Sequence, residues 1–392
     1  MIRHFFYLSS LFLILLTIQT NGQSKDTTIV TQILPGIIHK KIISEKDTMV
    51  ANVLIADLKE NNILLKSFKH ENTLFSKETT SRMFEELIDS GYNVIAGINS
   101  DFFENDGDLI NNMISDGVFI KGVKFSDSPF NDYANSQFCL TGDNKPFIEQ
   151  FVFDGSVIFP NGVIEKISRI NCRTDSNSFT IYNKHHGEYT PEKFKWNLLE
   201  TILLPVSKKA DTIIAVNTGI INREGKTKLD SDKMVLSYSG KNTRYLENLI
   251  SKGDTVKLVY RMFPYYENIQ TLVGGWGRLV KDGKNVTASL DSSEHTMPRF
   301  SKNRHPRTGI GLSQDSTKLF FIIVDGRQKS SKGMSLLEFA DLMISNGIYQ
   351  GLNLDGGGST TMVINNEVVN NPSDITGERS VGNSLFLIRK TK

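Results

Sequence analysis

The chain has 392 residues, of which 39% are hydrophobic and 22% are charged. This is enough apolar sequence to bury a large core, in one large domain or two ordinary ones. The formal net charge is only +2, from 45 Lys plus Arg against 43 Asp plus Glu, so neither a nucleic-acid partner nor an acidic membrane surface is indicated.

The first residues have the pattern of an export signal. Arg3 precedes an apolar run from Phe5 to Ile18, and Gly22 is a small residue at the place where a signal peptidase cuts. The run is too short to span a bilayer comfortably, and no later apolar stretch is long enough for a membrane span. We therefore predict a signal peptide at residues 1–22 and a secreted or periplasmic protein, with an uncleaved anchor as the alternative.

Only two cysteines occur, Cys139 and Cys172. In an exported protein they are candidates for a disulfide, and two separate core thiols are an equal alternative. Neither lies beside a histidine or a second cysteine, so the sequence does not indicate a metal site or a cysteine nucleophile.

Short β-rich runs such as "GIIHKKII" and "TMVANVLIADL" begin at Gly36. A helix is predicted next, because apolar residues repeat at helical spacing after Ser81, a candidate N-cap, and stop at Gly91. The run "NVIAGINSDFF" then predicts a buried strand that ends in the polar residues Asn99 and Asp101.

The central third is rich in strand patterns separated by turn signals, and it shows no low-complexity linker, heptad or solenoid repeat. We predict the α+β class, with a mixed β-sheet core and crossover helices in a single catalytic domain after the signal peptide. That domain covers residues 23–392, with residues 23–90 as a strand-rich lead-in packed on it.

The C-terminal third reads as strand, helix and strand. "KLFFIIVDGR" is an apolar run ending in Asp325, Ser335 and Glu338 form a capping box for a helix, and "IYQGLNLD" is a strand ending at Asp355. A crossover of this kind usually joins parallel strands. Asp325 and Asp355 are therefore expected at the same edge of a sheet, where α/β folds tend to bind ligands.

The same pattern occurs twice in the chain. A helix, a glycine stop and a strand lead to Asn99-Ser100-Asp101, and again to Asn353-Leu354-Asp355. A chance repeat is the alternative, but a structural equivalence would direct both Asn-x-Asp ends into one cleft.

Three consecutive glycines, Gly356 to Gly358, are followed by the hydroxyls of Ser359 and Thr360. Glycine lets the backbone approach a ligand closely and turn its N–H groups inward, which forms a nest for anions. No lysine follows the glycines, so the segment is not a P-loop. A plain turn between two strands is the alternative.

Two further segments carry charged side chains. Arg304 and Arg307 lie close together in "NRHPRTGIG", and guanidinium groups suit phosphate or carboxylate. Glu378, Arg379 and Asn383 lie just before or within the closing strand pattern. The alternatives are solvated arginines in the first segment and a surface ion pair in the second.

The motifs "GINSDFF", "GGWGRLVKDGK", "NRHPRTGIG", "VDGR", "LNLDGGGSTTM" and "RSVGNSL" occur in the order seen in the phosphodiester glycosidase family. The resemblance runs from about residue 50 to residue 388. It implies an enzyme that hydrolyses the bond between the anomeric carbon of a sugar and a phosphate oxygen, releasing sugar and a phosphomonoester. α-N-acetylglucosamine is the candidate sugar.

Two positions depart from the family pattern. The family often has glycine where this chain has Asp101, and it usually has "GGGPLL" where Trp276 and Arg278 occur here. Trp276 would offer a flat apolar face on which a sugar can stack.

The resemblance and the residue chemistry together define the candidate site, in which Asp355 is the leading nucleophile or base and Asp325 is second. The catalytic candidates are Asp355, Asp325, Asn99, Asp101 and Glu378, and the candidates for binding substrate or phosphate are Arg304, Arg307, Asn353, Gly356, Gly357, Gly358, Ser359, Thr360, Arg327, Arg379, Asn383 and Trp276.

The expected partner is a glycan or a sugar phosphate. No cofactor is firmly indicated, although a divalent cation bridging carboxylate and phosphate stays open. Two other functions also stay open on the sequence: an exopolysaccharide glycosidase whose substrate has no phosphate, and a non-catalytic surface module that binds sugar phosphates.

Overall fold

The structure is a computed structural model that describes residues 26–60, 63–128, 131–173, 175–193, 195–230, 232–242 and 244–389. The signal peptide at residues 1–22 lies outside these ranges and stays a prediction. Within them, no helix is both long and apolar enough to cross a membrane.

The strands are numbered in chain order. They are β1 (Asp26–Leu34), β2 (Ile37–Ser44), β3 (Met49–Asp57), β4 (Ile63–Phe68), β5 (Asn93–Asn99), β6 (Met113–Ser115), β7 (Val118–Lys121), β8 (Gln137–Thr141), β9 (Pro146–Glu149), β10 (Val152–Ile158), β11 (Ile164–Ile170), β12 (Ser178–Tyr182), β13 (Asn197–Lys209), β14 (Thr212–Asn222), β15 (Met234–Gly240), β16 (Thr255–Phe263), β17 (Ile269–Gly274), β18 (Arg278–Lys281), β19 (Lys284–Asn285), β20 (Arg307–Leu312), β21 (Lys318–Val324), β22 (Gln350–Asn353), β23 (Met362–Ile364), β24 (Glu367–Val368) and β25 (Ser384–Arg389).

The helices are fewer and mostly short. They are α1 (Thr80–Asp89), α2 (Arg244–Leu249), α3 (Leu290–Ser293), α4 (Pro298–Ser301) and α5 (Leu336–Ser345), with 3-10 turns at His70–Asn72, Lys184–His186, Thr287–Ser289 and Gly357–Ser359.

The protein is mostly β, with 47% strand and 13% helix. The predicted α+β class therefore overestimates the share of helix. The strands form three sheets and a closed barrel. Among the described strands the only parallel pair is β11 with β12, so the predicted mixed core is wrong as well. The physical reason is that most connections are short, and a short connection can join only antiparallel neighbours.

An eight-stranded sheet of order β1-β2-β3-β21-β20-β22-β18-β19 carries most of the predicted site. Within it β20 lies between β21 and β22 and is antiparallel to both. β21 and β22 are therefore parallel without being neighbours, and the connection through α5 passes over β20. Asp325 and Asp355 leave the sheet at one edge, as predicted, and Arg307 begins β20 at that same edge.

A five-stranded sheet of order β24-β23-β5-β25-β4 packs against the eight-stranded sheet. Its strand β25 lies between β5 and β4, so that Ser384 faces Asn99 on one side and Phe68 on the other. Buried side chains of both sheets, such as Phe321 and Leu385, belong to one hydrophobic cluster. This shared core fixes the end of β5 against the end of β22.

The barrel consists of β10-β11-β12-β15-β13-β14-β16, and a second five-stranded sheet has the order β7-β6-β17-β8-β9. They share a second hydrophobic cluster, in which Leu272 and Cys139 of the sheet pack with Tyr260 and Leu258 of the barrel. Cys139 and Cys172 are both buried and free, so the structure favours two core thiols over a disulfide.

The predicted helix starts are half right. Ser335 and Glu338 form the expected capping box at the start of α5. At α1, however, the N-cap is Thr79, whose hydroxyl accepts from the N–H of Arg82. Ser81 is therefore not the cap, and its N–H is instead satisfied by a carboxylate from a distant segment.

A buried lysine joins three loops near the ends of β4 and β25. The Nζ of Lys69 donates to the carbonyl oxygens of Ser76, Gly107 and Gly382 at 2.6–2.8 Å. The side chain is 1% exposed, so water does not compete for these bonds. Lys69 thereby fixes the segment that leads into β25.

We expect Lys69→Met to lower the free energy of unfolding by about 4 kcal/mol, because it leaves three carbonyl groups without their donor. Urea denaturation monitored by far-ultraviolet circular dichroism measures the change. Lys59→Met, at an exposed position, is the matched control and should be nearly neutral. Equal stability of the two variants would show that the bonds of Lys69 are not structurally important.

Candidate active site

The two Asn-x-Asp segments meet at the edges of their sheets. The N–H of Asp355 donates to the carbonyl oxygen of Ser100 at 2.9 Å. In return, the side-chain amide of Asn99 donates to the carbonyl oxygen of Asp355 at 2.6 Å. The two copies of the internal repeat therefore end next to each other, and their strand ends are joined by hydrogen bonds.

Asn99 is a positioning residue, because its buried side chain bonds to three other segments of the protein. Besides donating to Asp355, its Oδ1 accepts from the hydroxyl of Thr308 at 2.9 Å and from the N–H of Thr361 at 3.1 Å. The side chain is fully buried. Asn99 thus connects β5, β20 and the glycine loop, and the catalytic role predicted for it becomes a supporting one.

Asp355 is the strongest candidate for chemistry. Its carboxyl group is only part-exposed, and burial raises its pKa from 3.8 to about 6. The hydroxyl of Ser359, the guanidinium of Arg379 and the N–H of Gly356 oppose this shift because they favour the ionised form. A carboxyl group with a pKa of about 6 is suited to act as a nucleophile or a base at neutral pH.

The glycine loop uses part of the predicted nest of N–H groups inside the protein. Gly357 donates to the carbonyl oxygen of Pro306 at 2.9 Å, Ser359 donates to Gly356, and Thr360 donates to Gly357. These internal bonds close a 3-10 turn over Gly357–Ser359. The N–H of Gly357 is therefore not free for an anion, and side chains around the loop become the stronger candidates for binding one.

Two arginines lie directly on the glycines. A Cβ atom built on Gly357 would be 3.1 Å from a terminal nitrogen of Arg327, and one built on Gly358 would be 2.2 Å from a terminal nitrogen of Arg379. Gly357 also has a φ of +63°, which other residues rarely adopt. The glycines are needed here because they leave room for guanidinium groups above the loop.

Arg379 and Arg327 differ in their partners. The Nε of Arg379 donates to Asp374 at 2.8 Å. Arg327 has no carboxylate within 4.0 Å among the described residues, and its nearest polar side chain is His305, 3.4 Å away. Burial, together with Arg307 and Arg327, lowers the pKa of His305, so this imidazole is neutral beside the two cations.

Arg307 is buried without a carboxylate partner among the described residues. It is 1% exposed and donates to the carbonyl oxygens of Met334, Phe300 and Asn303 at 2.8–2.9 Å. Its guanidinium also lies over the ring of Phe300. Burial and the nearby Arg327 lower its pKa to about 10, and the attraction of Glu338 offsets this only in part.

Asp325 supports the loop that carries Arg379. Its carboxylate accepts from the side chain of Asn370 at 3.1 Å and from the N–H of Asn371 at 3.2 Å. Only 4% of the residue is exposed, and burial raises the pKa of this carboxyl group. The predicted second catalytic carboxylate is thus already engaged in fixing a neighbouring loop.

Two predicted site residues have other partners. Arg304 forms two hydrogen bonds with Glu338 at 2.8 and 3.0 Å, so it pairs with the capping box of α5 rather than with a phosphate. Glu378 accepts from the N–H and the hydroxyl of Ser81 at 2.9 and 2.5 Å. Because this satisfies the first turn of α1, Glu378 is a helix cap and its predicted catalytic role is wrong.

Asp101 and Asn383 lie deeper, behind the strand ends. The Oδ1 of Asn383 accepts from the N–H of Asp101 at 2.8 Å, and Asp101 accepts from the side chain of Asn111 at 2.6 Å. Asp101 is 1% exposed and lies against Gly274, and burial raises its pKa to about 7. The pair therefore supports the site from within.

Trp276 is part of an aromatic cluster rather than an open platform for a sugar. It is 7% exposed and stacks on Phe300 with ring centres 5.5 Å apart. Asn353 holds its backbone, donating from its side chain to the carbonyl oxygen of Trp276 at 3.1 Å. Thr360, also buried, contributes a hydroxyl 3.3 Å from that of Thr308. These residues shape the floor of the site.

Three functional residues were missed by sequence reasoning. Asp374 pairs with Arg379, Asn370 holds Asp325, and Glu294 accepts from the N–H groups of Gly277 and Arg278. Each lies in a polar loop where the sequence shows no periodic pattern. The one available signal was the position of Asp374 five residues before Arg379 in a glycine-containing segment.

No set of three or more His, Cys, Asp or Glu side chains among the described residues is arranged to hold a metal ion. The cavities of about 610, 330 and 350 Å³ also lie away from Asp355, Arg327 and Arg379. Because the two arginines rest on the glycines, they fill the space above the loop, and a ligand there would have to displace them.

Comparison with known proteins agrees with the motifs. The phosphodiester glycosidase family model matches residues 210–388. The SPbeta prophage-derived protein YomE of Bacillus subtilis is 36% identical over 109 residues, which cover 28% of this chain and 16% of YomE. The bovine N-acetylglucosamine-1-phosphodiester alpha-N-acetylglucosaminidase is 36% identical over 110 residues, covering 26% of this chain and 20% of that protein. The predicted family resemblance is confirmed, although the aligned segments span about a fifth or less of these relatives.

A solved structure of a Synechocystis protein has the same fold over most of the chain. It superposes with a TM-score of 0.72 and 14% identity, covering 93% of this chain and 64% of that protein. At this identity the likeness supports the fold and not a shared activity.

We expect Gly358→Ala to lower the free energy of unfolding by about 2 kcal/mol, because the new methyl group collides with Arg379 and Asp374. Thermal or urea denaturation gives the value. In an Asp374→Ala, Arg379→Ala background the same alanine should cost at least about 1 kcal/mol less. An equal cost in both backgrounds would mean that the collision with the ion pair is not the cause.

Proposed function

Because residues 210–388 match the phosphodiester glycosidase family, we propose that this protein hydrolyses a sugar-1-phosphodiester and releases free sugar and a phosphomonoester. The observation that carries the proposal is a titratable carboxyl group next to two exposed arginines, of which Arg379 is paired with Asp374 and Arg327 has no carboxylate partner among the described residues. Asp355, with its raised pKa, lies at a glycine loop on which Arg327 and Arg379 rest. α-N-acetylglucosamine is the candidate sugar, as in the names of the mammalian relatives.

In this proposal Arg327 and Arg379 bind the phosphate. Both have exposed side chains, and guanidinium groups suit phosphate oxygens. Arg307 is held by backbone carbonyl groups and acts through its charge, which is not balanced by a nearby carboxylate. This assignment replaces Arg304, which is paired with Glu338.

Asp355 acts on the sugar, either as the nucleophile at the anomeric carbon or as the base that activates water. The departing phosphomonoester has a second pKa of roughly 6, so it needs little protonation to leave. A single working carboxylate is therefore enough for this reaction. That fits the structure, in which Asp325 is engaged with Asn370 and Asn371.

Export completes the proposal. The apolar run at the N-terminus, which has the pattern of a signal peptide, supports action outside the cytoplasm. A glycan or a polymer carrying sugar phosphates would then be the substrate.

We expect the purified protein to hydrolyse sugar-1-phosphodiesters that carry no uridine nucleotide, including α-N-acetylglucosamine-1-phosphodiesters. The products should be free sugar and a phosphomonoester. Asp355→Asn should lower kcat by about 10³-fold or more, because it removes the reacting carboxylate. Product analysis by chromatography with phosphate detection makes the measurement, and Asp315→Asn at an exposed turn is the control. Turnover of aryl glycosides alone would favour an ordinary glycosidase, and binding without any turnover would favour a surface module.

The same variant should change stability in a pH-dependent way. Burial raises the pKa of Asp355 from 3.8 to about 6, so ionisation costs the folded state about 3 kcal/mol above pH 6. Asp355→Asn should therefore be more stable than the parent protein at pH 7 and above, with the advantage disappearing as the pH falls from 6 to 4. Activity of the parent should fall over the same range as Asp355 becomes protonated.

Asp315 is a control in which the pKa shift, and hence the pH dependence of stability, has the opposite sign. Hydrogen bonds from Ser313 and Thr317 lower its pKa to about 2, so its ionised form is favoured in the folded state. Asp315→Asn should therefore destabilise the protein above pH 4. Chemical denaturation at pH 4 to 8 tests both variants, and a pH-independent difference for Asp355→Asn would contradict the assignment of its pKa.

A further inference from the structure

A cavity lies at one end of the barrel, and none of the candidate active-site residues Asp355, Arg327 and Arg379 lines it. It has a volume of about 610 Å³. Barrel residues such as Met234 and Met262 line one side, and the turn at residues 116–119 and the start of β17 line the other. Ligand sites commonly occur in barrel mouths and have volumes of roughly 300–1,000 Å³.

The lining of this cavity combines aromatic faces with uncharged hydrogen-bonding groups. Tyr260, Tyr265 and Tyr266 supply the rings, and Asn268 and Gln270 supply amides. Tyr260 is 7% exposed, and its hydroxyl has no hydrogen-bond partner among the described residues. A buried hydroxyl without a partner is costly, so it points to a ligand or water in the barrel mouth.

Several of the charged groups around the cavity have protein partners, among them Asp116, which pairs with Lys66. Arg261 bonds to Asp211 at 2.5 Å and lies over the ring of Tyr265. Lys208 donates to the carbonyl oxygen of Gly117 at 2.9 Å. This contrasts with the candidate active site, where Arg307 and Arg327 lack carboxylate partners. The barrel mouth therefore favours an uncharged ligand over an anion.

A second cavity of about 330 Å³ is adjacent, because Asp116, Asn268 and Gln270 line both. Tyr92 adds a further aromatic ring in the second cavity. We refer to the two neighbouring cavities together as the groove; rings and amides occur in the lining of both. Such a lining fits a chain of sugar rings, whose apolar faces stack on aromatic residues while their hydroxyls bond to amides.

We propose that the barrel mouth is a non-catalytic site that binds an uncharged oligosaccharide. No residue of the candidate active site lines the groove, so binding there does not depend on the hydrolytic step proposed above. The role of that binding rests on the proposed function: it would hold a polymeric glycan while chemistry takes place elsewhere on the molecule, which raises the effective concentration of the reacting bond.

The test uses the protein carrying Asp355→Asn, so that turnover cannot consume the probe. Isothermal titration calorimetry would measure binding of chito-oligosaccharides and cello-oligosaccharides of one to six sugars. We expect affinity to rise with length for one of the two series. Tyr265→Ala should weaken it about tenfold, because it removes an exposed stacking ring. Tyr189→Ala, at an exposed tyrosine outside the groove, is the control and should leave binding unchanged.

Three outcomes would overturn the proposal. One is the absence of binding to either series, and another is binding that Tyr265→Ala leaves unchanged. The third is binding of anilinonaphthalene sulfonate to the groove with no binding of oligosaccharide, which would assign the cavity to apolar ligands. Each of these results is a binding measurement. It is therefore distinguishable from failure of the proposed sugar-1-phosphodiester hydrolysis, which the product assay measures.

Discussion

The side-chain amide of Asn99 joins three segments that are far apart in the chain. It donates to the backbone of Asp355 and accepts from Thr308 and from the N–H that follows the glycine loop. Since the amide is fully buried, each bond is protected from competition by water. The position of Asp355 relative to β20 and the glycine loop therefore depends on one buried residue.

Around this junction, acidic and basic groups are held in unfavourable environments without neutralising each other. Burial raises the pKa of Asp355 and lowers that of Arg307, so each charged form is disfavoured. A phosphate bound near Arg327 and Arg379 would supply the missing negative charge. In the proposed function, the cost of burying these charged groups would be partly offset when an anionic substrate binds, at the expense of folding stability without it.

Sequence reasoning succeeded where short-range rules apply. The apolar runs before Asp325 and Asp355, together with the capping box between them, were enough to place both carboxylates at one sheet edge. It failed where partners are distant: β20 forms a hairpin with β21, but its pairing with β22, which lies beyond α5 in the chain, has no local signal. The same limit explains Glu378 and Arg304, whose partners Ser81 and Glu338 lie 297 and 34 residues away. The position of the glycine loop was predicted correctly. The number of glycines could not show which of the loop N–H groups bond within the protein.

The place of β25 has a consequence for the order of events in folding. This strand, Ser384–Arg389, fills the gap between β5 and β4, two strands that precede it by about 300 residues. Contacts of such sequence separation form slowly, because closing long loops is entropically costly. A growing chain that has not yet reached Ser384 leaves β5 with one open edge and Asp101 without its contact to Asn383. We therefore expect the active site to become ordered only after β25 is made, so that an incomplete chain is inactive and exposes a strand edge prone to aggregation.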